Sequence, residues 1–553
     1  MLTCVVRLLL PLLLLVPAAA GLAASRPNIL LIIADDMGYS DLGSFGGEIA
    51  TPNLDKLALD GVRFSNFVVH PACSPTRATL YTGVDPHLAG VGNMYEELSP
   101  NQKGQPGYEG NLNERVVSVA SLLGDSGYRT YLSGKWHLAN SPEQGAASQG
   151  FQRSFALNSG GASHFADMLP AYHPDPKAKA SYTEDDRPLS SLPADFEYSS
   201  QYYVDRLLHY LREGDSQQPF FAVLSFTAPH WPLQAPDAAI ARHKGRYDSG
   251  YDVLYQQRRQ RVAELGLIPS AAEPPRPPKA VPWDSLTPAQ QREQSRSMEV
   301  YAAMIDEMDV HSGRLIDYLR ESGQLDNTLV LFMSDNGPEG HDLDETWSPE
   351  MFPAIRKVID ERYDFSLENI GRPNSYAFYG AGWAMAGSAG LRMYKAFPSE
   401  GSTRVTAFAH FPAGFKGGSI HHDMVPVRDV VPTLLDVAGV EHPGERYKDR
   451  DIYPLQGRSL LPGLAGKSGE MEPQPLGTEL FGKYSLRQGD WKLLVMPPPY
   501  ASGEAELYNI TRDPGESDDL ATSEPERLAA MLTLWNEYVA GNGVILPDWV
   551  SGY

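Results

Sequence analysis

Four short apolar runs do most to limit the folds open to this chain. They read NILLII (28–33), YRTYLS (128–133), PFFAVLSF (219–226) and TLVLFMS (328–334). Runs of this length, rich in β-branched and aromatic residues, are typical of strands buried on both faces of a parallel sheet. Segments with helical spacing, such as residues 301–323, lie between them. This alternation predicts an α/β fold with a large, mostly parallel central sheet flanked by helices.

Each run ends directly at polar residues. These are, in chain order, Asp35, Asp36, Lys135, His137, His230, Asp335 and Asn336. In open α/β sheets, ligands bind beyond the carboxyl ends of the strands. We therefore expect these side chains to converge on one crevice, although they span 300 positions from first to last. Lys135 and His137 stand two positions apart on an extended segment and are expected to point the same way. Taken singly, the lysine and both histidines also fit plain surface or packing roles.

Oxygen donors dominate this set. Asp35, Asp36, Asp335 and Asn336 are hard ligands, which favour calcium or magnesium over zinc or copper. Adjacent carboxylates after a buried strand are costly unless positive charge is near. Taken alone, the Asp pair also fits a helix cap, and the SDNG motif (334–337) also fits a turn.

The N terminus has the parts of a secretory signal peptide. Arg7 precedes the apolar run LLLPLLLLV, and the small residues AAAGLAA follow it. The apolar run is too short for a membrane span and contains Pro11, although an uncleaved anchor is the alternative reading. Residues 1–24 are predicted to be removed, which leaves an exported protein, periplasmic or secreted, with no membrane segment in its mature form.

Cys73 is then the one cysteine of the exported chain, because Cys4 leaves with the signal peptide. A single cysteine cannot form an internal disulfide. Pro75 favours a helix start here, and the positive end of a helix lowers a thiol pKa and attracts anions. Arg77, one turn further on, adds a fork of donors. The alternative is a buried, inert cysteine.

Net charge limits the possible partners of the protein, and a change in sequence pattern marks its domain organisation. The formal charge of −23, from 46 basic and 69 acidic residues, argues against a nucleic-acid partner. From about residue 441 the pattern changes to strand-like segments joined by turns, followed by a helical segment, RLAAMLTLWNEYV (527–539). The sequence thus predicts a catalytic domain over 25–440 and a smaller C-terminal α+β domain with an antiparallel sheet over 441–553.

Several motifs together resemble the type I, formylglycine-dependent sulfatases. CSPTR matches their Cys-x-Pro-x-Arg element, and LYTG follows it. The other matching blocks, in the expected order, read ADDMGYSDLGSFGG, TPNLDKLA, GKWHL, APHWPLQAP, FMSDNG and LYNITRDPGE. The resemblance covers essentially the whole mature chain, departs at no motif position and is nearest to secreted or periplasmic bacterial arylsulfatases. It implies an alkaline-phosphatase-like sandwich fold.

The resemblance also implies roles for individual residues. One divalent cation, calcium with magnesium as the alternative, would be held by Asp35, Asp36, Asp335, Asn336 and the modified Cys73. A formylglycine-generating enzyme would convert Cys73 to formylglycine, whose hydrated gem-diol attacks sulfur with help from the metal and Arg77. Three groups would bind the sulfate oxygens and help the alcohol or phenol depart: Lys135, His230 and Lys395. His137 would take the proton of the second hydroxyl as sulfate leaves the covalent sulfate ester.

The implied reaction is hydrolysis of a small-molecule aryl, or alkyl, sulfate monoester. A formylglycine-dependent phosphonate monoester or phosphodiester hydrolase of the same superfamily is the alternative enzyme. Plain phosphatases of the fold use serine or threonine as nucleophile, which the CSPTR stretch argues against. A non-catalytic binding protein with unmodified Cys73 is the third hypothesis.

Overall fold

One large sheet organises the molecule. The computed structural model describes residues 26–269, 273–345, 352–466 and 474–549; the predicted signal peptide lies outside these ranges. The strands of the large sheet are β1 Asn28–Ala34, β2 Val62–Val68, β3 Arg129–Lys135, β4 Arg153–Leu157, β5 Tyr182–Glu184, β6 Arg187–Pro188, β7 Phe220–Ser225, β8 Thr328–Ser334, β9 Arg404–His410, β10 Ser419–His421 and β11 Val425–Pro426.

The strand order is β10-β2-β9-β8-β1-β7-β3-β4-β5-β6, with β11 also paired to β2. The central strands β8, β1, β7, β3 and β4 are mutually parallel, whereas β9 is antiparallel to both of its neighbours. All seven residues of β1 are buried, as the unbroken apolar run predicted. Because β1, β7, β8 and β3 are parallel, their carboxyl ends meet at one edge of the sheet.

Helices cover both faces of the sheet. They are α1 Pro52–Asp60, α2 Cys73–Thr82, α3 Pro86–Ala89, α4 Val119–Asp125, α5 Ser199–Glu213, α6 Asp237–Arg242, α7 Tyr251–Glu264, α8 Pro288–Glu321, α9 Phe352–Arg362, α10 Gly380–Gly387, α11 Glu400–Thr403, α12 Val430–Ala438, α13 Leu461–Leu464 and α14 Pro525–Asn542. The longest, α8, begins at a capping box in which Thr287 and Gln290 satisfy each other's backbone N–H groups. In the described ranges, no helix has the length and apolarity that a membrane crossing requires.

A second, antiparallel sheet stands near the C terminus. Its strands, in order, are β14 Leu476–Leu480, β15 Lys483–Gln488, β16 Trp491–Val495 and β17 Glu506–Asn509. Helix α14 packs on it, with Trp535 stacked on Tyr484 at a ring separation of 4.3 Å. The short hairpin of β12 Arg446–Tyr447 and β13 Arg450–Asp451 precedes it, and nearby Ile452 packs in the apolar cluster beside the large sheet. The predicted domain boundary at 441 stays a prediction.

Candidate active site

The polar residues that follow the central strands meet at one edge of the large sheet. Asp35 follows β1, Asp335 follows β8 and Lys135 is the last residue of β3; all three are fully buried. The convergence expected from the sequence is therefore present. A chain of contacts and shared cavity walls connects all ten predicted site residues: Asp35, Asp36, Cys73, Arg77, Lys135, His137, His230, Asp335, Asn336 and Lys395.

Two buried ion pairs frame the site. The Lys135 ammonium donates to both oxygens of Asp35, at 2.9 and 2.7 Å. The Arg77 guanidinium donates to Asp335 Oδ2 through Nε at 2.9 Å, and its second nitrogen lies 2.8 Å from the same oxygen. Arg77 also donates to the Lys135 carbonyl at 2.8 Å, so the two pairs are physically joined. A charged network of this kind holds its members in one geometry.

A glycine lets β3 deliver Lys135 to this edge. Gly134 has a φ of +121°, and a side chain there would place its Cβ 1.7 Å from the Ser225 carbonyl oxygen of the neighbouring strand. Only glycine accepts both conditions. The Ser225 hydroxyl in turn accepts a hydrogen bond from Arg77 at 2.7 Å. In the GKWH motif, Gly134 thus allows the close contact between strands, and Lys135 directly after it enters the site.

Asp36 is the meeting point of the other site residues. Its Oδ1 accepts from the Asn336 amide at 2.7 Å, and its Oδ2 accepts from the Lys395 ammonium at 3.0 Å. His230 Nε2 lies 3.6 Å from the same Oδ2. Asp36 has a left-handed backbone with φ of +64°, a conformation that costs free energy in a residue other than glycine. The adjacent carboxylates of Asp35 and Asp36 therefore face different partners.

The donor atoms fit a divalent cation. One ligand atom each from Asp35, Asp36, Cys73 and His230 lies within 4.8 Å of the others. Asn336 Oδ1 is buried and has no hydrogen-bond partner among the residues that the structure describes. Burial, followed by nearby carboxylates, outweighs Lys135 and raises the pKa of Asp35 to about 8. Burial likewise raises the pKa of Asp36 to about 6, although Lys395 opposes it. Such carboxylates become favourable as anions when a cation is bound.

The four-residue donor group differs in part from the predicted metal ligands. His230, predicted as a sulfate-binding residue, belongs to it, whereas Asp335 does not. Asp335 Oδ2 pairs with Arg77, and its Oδ1 accepts from the Asp36 backbone N–H at 3.3 Å. Burial would raise the pKa of Asp335, but Arg77 and Lys135 together outweigh it and lower that pKa. The anionic form of Asp335 is thus favoured, and its contacts fix Arg77 and the Asp36 backbone.

Cys73 begins α2, as the proline-containing motif predicted, and its side chain is buried. The expected lowering of the thiol pKa is wrong. Burial raises that pKa above its usual range, and the nearby Lys135 and Lys395 do not compensate. A helix start lowers a thiol pKa when the thiolate stays solvated, and every residue of α2 is buried here. An unmodified Cys73 would therefore be a poor nucleophile.

His137 reaches the site by a different route from the one predicted. Strand β3 ends at Lys135, and His137 has a left-handed backbone with φ of +56°, so strand alternation does not place it. It lines the same cavity as Cys73, together with Glu96, Tyr172, Trp231 and Lys395. Burial, with the nearby Lys135 and Arg77, lowers the pKa of His137, which keeps the imidazole neutral near pH 7.

Three further residues contribute to the site without a signal in the sequence pattern that would single them out. Glu96 and Tyr172 line the Cys73 cavity, and Glu339 lies 3.4 Å from the Lys395 ammonium. Each stands in a loop without a recognisable motif. Glu339 follows the SDNG motif by two residues, and that short spacing is the one signal that pointed towards it. Together, the buried charged side chains of this site form the active-site cluster: Asp35, Asp36, Arg77, Lys135, Asp335, Glu339 and Lys395.

Comparisons with known proteins agree with this geometry. The Sulfatase family profile matches residues 27–440. An uncharacterized sulfatase of Schizosaccharomyces pombe is 40% identical over 95% of this chain and 96% of its own length. An arylsulfatase of Klebsiella aerogenes is 38% identical over 79% of this chain and 91% of its own length.

A crystal structure of a protein bound to the sugar k-i-k-neocarrahexaose superposes with a TM-score of 0.66. Its sequence is 22% identical, over 95% of both chains. This likeness confirms the predicted alkaline-phosphatase-like fold, with its large, mostly parallel sheet and separate small antiparallel sheet. Together with the family match over most of its length, the site identifies this chain as a member of the sulfatase family, hydrolases that act on sulfate esters.

Proposed function

We propose that the protein hydrolyses aryl, or alkyl, sulfate monoesters to a phenol or alcohol and inorganic sulfate. One observation carries the proposal. Cys73 is the first residue of the buried helix α2, and its sulfur lies close to ligand atoms of Asp35, Asp36 and His230. The buried ammonium groups of Lys135 and Lys395 contact the two aspartates of this group. A sulfate monoester needs positive charge at its oxygens and at the leaving oxygen, and this cavity supplies it in a water-poor setting.

Two groups complete the site in this proposal. Cys73, converted to formylglycine by a formylglycine-generating enzyme, would supply a hydrated aldehyde as nucleophile, and a divalent cation, Ca²⁺ rather than Mg²⁺, would supply charge for it and for the sulfate oxygens. The cation would be held by Asp35, Asp36, Asp335, the Oδ1 of Asn336 and the converted Cys73, with His230 beside them. Flexible coordination by six to eight oxygens suits calcium better than magnesium.

The chain's own residues then divide the remaining work. Lys135 and Lys395 place ammonium groups beside the two aspartates and offer charge to a bound sulfate. His230 donates Nδ1–H to the Trp231 carbonyl and so presents Nε2 towards Asp36. Arg77, held by Asp335, stabilises negative charge at the start of α2. His137 is neutral and able to receive the proton released when sulfate departs.

Aromatic side chains support an aromatic leaving group. Tyr172 and Trp231 line the Cys73 cavity with their rings 6.1 Å apart. Phe378, with its ring centre 5.0 Å from that of Trp231, lines the adjoining cavity beside Asp36. Flat apolar walls next to a charged centre favour a substrate with an aromatic ring attached to sulfate. The relative from Klebsiella aerogenes, an arylsulfatase by name, supports the same substrate class.

Location and maturation belong to the proposal as well. The N-terminal sequence supports export to the periplasm or the exterior after removal of residues 1–24. Export makes the conversion of Cys73 a distinct step, because the thiol is buried once the chain has folded.

Mass spectrometry of the peptide that contains Cys73, from protein made in its native host, tests the modification. The expected product is an aldehyde in place of the thiol, and an unmodified thiol throughout would leave the binding-protein hypothesis in place. Rates with an aryl sulfate and with a matched aryl phosphodiester and phosphonate then test the reaction. A faster phosphodiester or phosphonate reaction would favour the alternative enzyme, and Cys73→Ala controls for contaminating activity.

A further inference from the structure

Glu96 lines the Cys73 cavity but has no role in the reaction proposed above. It belongs to a single 3₁₀ turn, Tyr95–Glu97, in a loop that no motif marks. Its Oε1 lies 3.1 Å from His137 Nε2 and accepts a hydrogen bond from the Tyr172 hydroxyl. Both side chains of the Glu96–His137 pair are mostly shielded from solvent, with exposed fractions of 18% and 9%. Three separate loops therefore meet at one carboxylate oxygen.

The contact has a consequence for the imidazole. An ionised carboxylate only accepts hydrogen bonds, so the ring nitrogen facing it carries the proton. Burial alone would raise the pKa of Glu96, but His137 and Tyr172 outweigh it and lower that pKa to about 2. The other ring nitrogen, His137 Nδ1, is buried and meets no hydrogen-bond partner within the described ranges. In a neutral ring, Nδ1 then holds the free electron pair.

We infer that Glu96 is a positioning residue for His137. Its carboxylate accepts a hydrogen bond from Nε2–H, which keeps the proton on Nε2 and leaves Nδ1 as the nitrogen that can take up a proton. The inference rests on the proposed function, in which His137 receives a proton as sulfate leaves. In that step Nδ1 takes the proton of the free hydroxyl on the former Cys73 side chain. The electron pair of that O–H bond forms the carbonyl, and the C–O bond to sulfate breaks with its electron pair on the departing sulfate.

The protonated nitrogen of His137 is measurable without any activity. Chain labelled with ¹⁵N-histidine, made without the converting enzyme so that Cys73 stays a thiol, gives ring-nitrogen shifts for its 14 histidines. His137→Ala assigns the relevant signal by its disappearance. We expect the Nε2–H tautomer in the wild type and a mixture of tautomers in Glu96→Ala. A wild-type ring protonated on Nδ1, or a ring unaffected by Glu96→Ala, would overturn the inference.

Two further variants separate positioning from general disturbance. Glu307 and His311 form a comparable pair on α8, with Nε2 and Oε2 at 3.3 Å and exposed fractions of 15% and 10%. Glu307→Ala should alter the His311 signal and leave that of His137 unchanged. Tyr172→Phe removes the other hydrogen bond to Glu96 and should preserve the His137 tautomer. A change of tautomer in either variant would contradict the assignment to Glu96.

The converted enzyme supplies a second readout. Loss of a correctly placed general base slows its step by roughly 10²-fold or more. In Glu96→Ala we therefore expect a burst of phenol, a slow steady state and a Cys73 peptide heavier by one sulfate group. Glu96→Gln keeps an acceptor oxygen, so its steady-state rate should lie between those of the wild type and Glu96→Ala. A wild type without sulfatase activity would refute the proposed function itself, whereas an active wild type with no sulfated peptide in Glu96→Ala would refute the inference alone.

Discussion

Two buried clusters of charge in this molecule have opposite balances. One is the active-site cluster. The other, here called the C-terminal ion cluster, joins the small sheet to the start of α11 and the start of β9. It consists of Glu400, Arg404, Arg487, Lys492 and Glu516. The Lys492 ammonium lies 2.9 Å from Glu400 and 2.8 Å from Glu516. All five side chains are buried, as are the members of the active-site cluster.

The difference lies in the charge count. Three cations face two carboxyl groups in the C-terminal ion cluster, whereas three cations face four carboxyl groups in the active-site cluster. Burial would raise the pKa of Glu400, but Arg487, Lys492 and Arg404 lower it to about 2. Burial raises the pKa of Asp35 to about 8. The C-terminal ion cluster thus has at least one cation for each carboxyl group, whereas the active-site cluster has one carboxyl group more than it has cations, an excess that a bound metal ion would balance.

The largest effect is expected on chemistry alone, at Cys73, which lies beside Asp35 and Asp36 of the active-site cluster. Cys73→Ala should lower kcat by roughly 10⁵-fold or more, because it removes the proposed nucleophile. The free energy of unfolding should change by about 1 kcal/mol or less, since the side chain is small and its partners remain. Aryl sulfate turnover and denaturant titration measure the two quantities. Activity near that of the wild type would show that the nucleophile is another residue.

The C-terminal ion cluster should show the reverse pattern. Lys492→Met leaves Glu400 and Glu516 without their shared cation and should lower the free energy of unfolding by about 3 to 5 kcal/mol. The kcat/KM of the folded fraction should stay at the wild-type value, because no residue of this cluster lines the Cys73 cavity. Lys492→Arg keeps the charge and is the control. A loss of turnover without a loss of stability would remove the distinction between the clusters.

Metal binding should stabilise the protein through the active-site cluster. At a free Ca²⁺ concentration about 100 times its Kd, the gain is about 3 kcal/mol. The folded-state pKa values of Asp35 and Asp36, about 8 and about 6, exceed the ordinary 3.8. Metal-free protein therefore keeps the associated stability below about pH 4 and loses it as the pH rises through 6 to 8.

The increase in Tm on adding Ca²⁺ should accordingly be larger at pH 8 than at pH 5. Thermal melts with Ca²⁺ and with chelator at both pH values measure it. Taking the difference between the two melts cancels other titrating groups, such as His87, whose pKa is raised to about 9, because burial is outweighed by Asp85 and Glu479. An equal gain at both pH values would mean that the bound cation displaces no protons from the site.

The smallest expected effect is a gain in the free energy of unfolding. Asp36→Asn removes a carboxylate that burial disfavours at pH 8 and should raise the free energy of unfolding of metal-free protein by about 1 kcal/mol, while abolishing turnover. Glu400→Gln makes the same chemical change in the C-terminal ion cluster and should destabilise. Denaturant titration of both variants in chelator compares them directly. Destabilisation by Asp36→Asn would show that Lys395 and Asn336 already balance the charge of Asp36.

The sequence predicted what depends on local pattern. The central strands were recognisable because they are short, mostly apolar and followed by polar residues. Parallel pairing then brings Asp35, Asp335 and Lys135 together. Long-range placement was not readable. Glu96 and Tyr172 are 76 positions apart in loops whose residues carry no periodicity, and only the folded chain joins them.

Two local rules failed, with different outcomes. The pKa of Cys73 was judged from its position at a helix start, and burial overrides that rule. His137 does face the predicted site, but a left-handed turn rather than strand alternation places it there. Lys135, by contrast, ends a regular strand and lies where the pattern put it.

The order in which the site residues leave the ribosome sets a timetable for maturation. Cys73 is made early, but the cavity that buries it is incomplete until Lys395, 322 residues later, has been added. At typical rates of synthesis this interval is roughly 15 to 60 seconds. If Cys73 is converted as proposed, its thiol would be within reach of the converting enzyme during that interval, until folding buries it. The ratio of conversion rate to folding rate, rather than any property of the finished enzyme, would then decide what fraction of molecules is active.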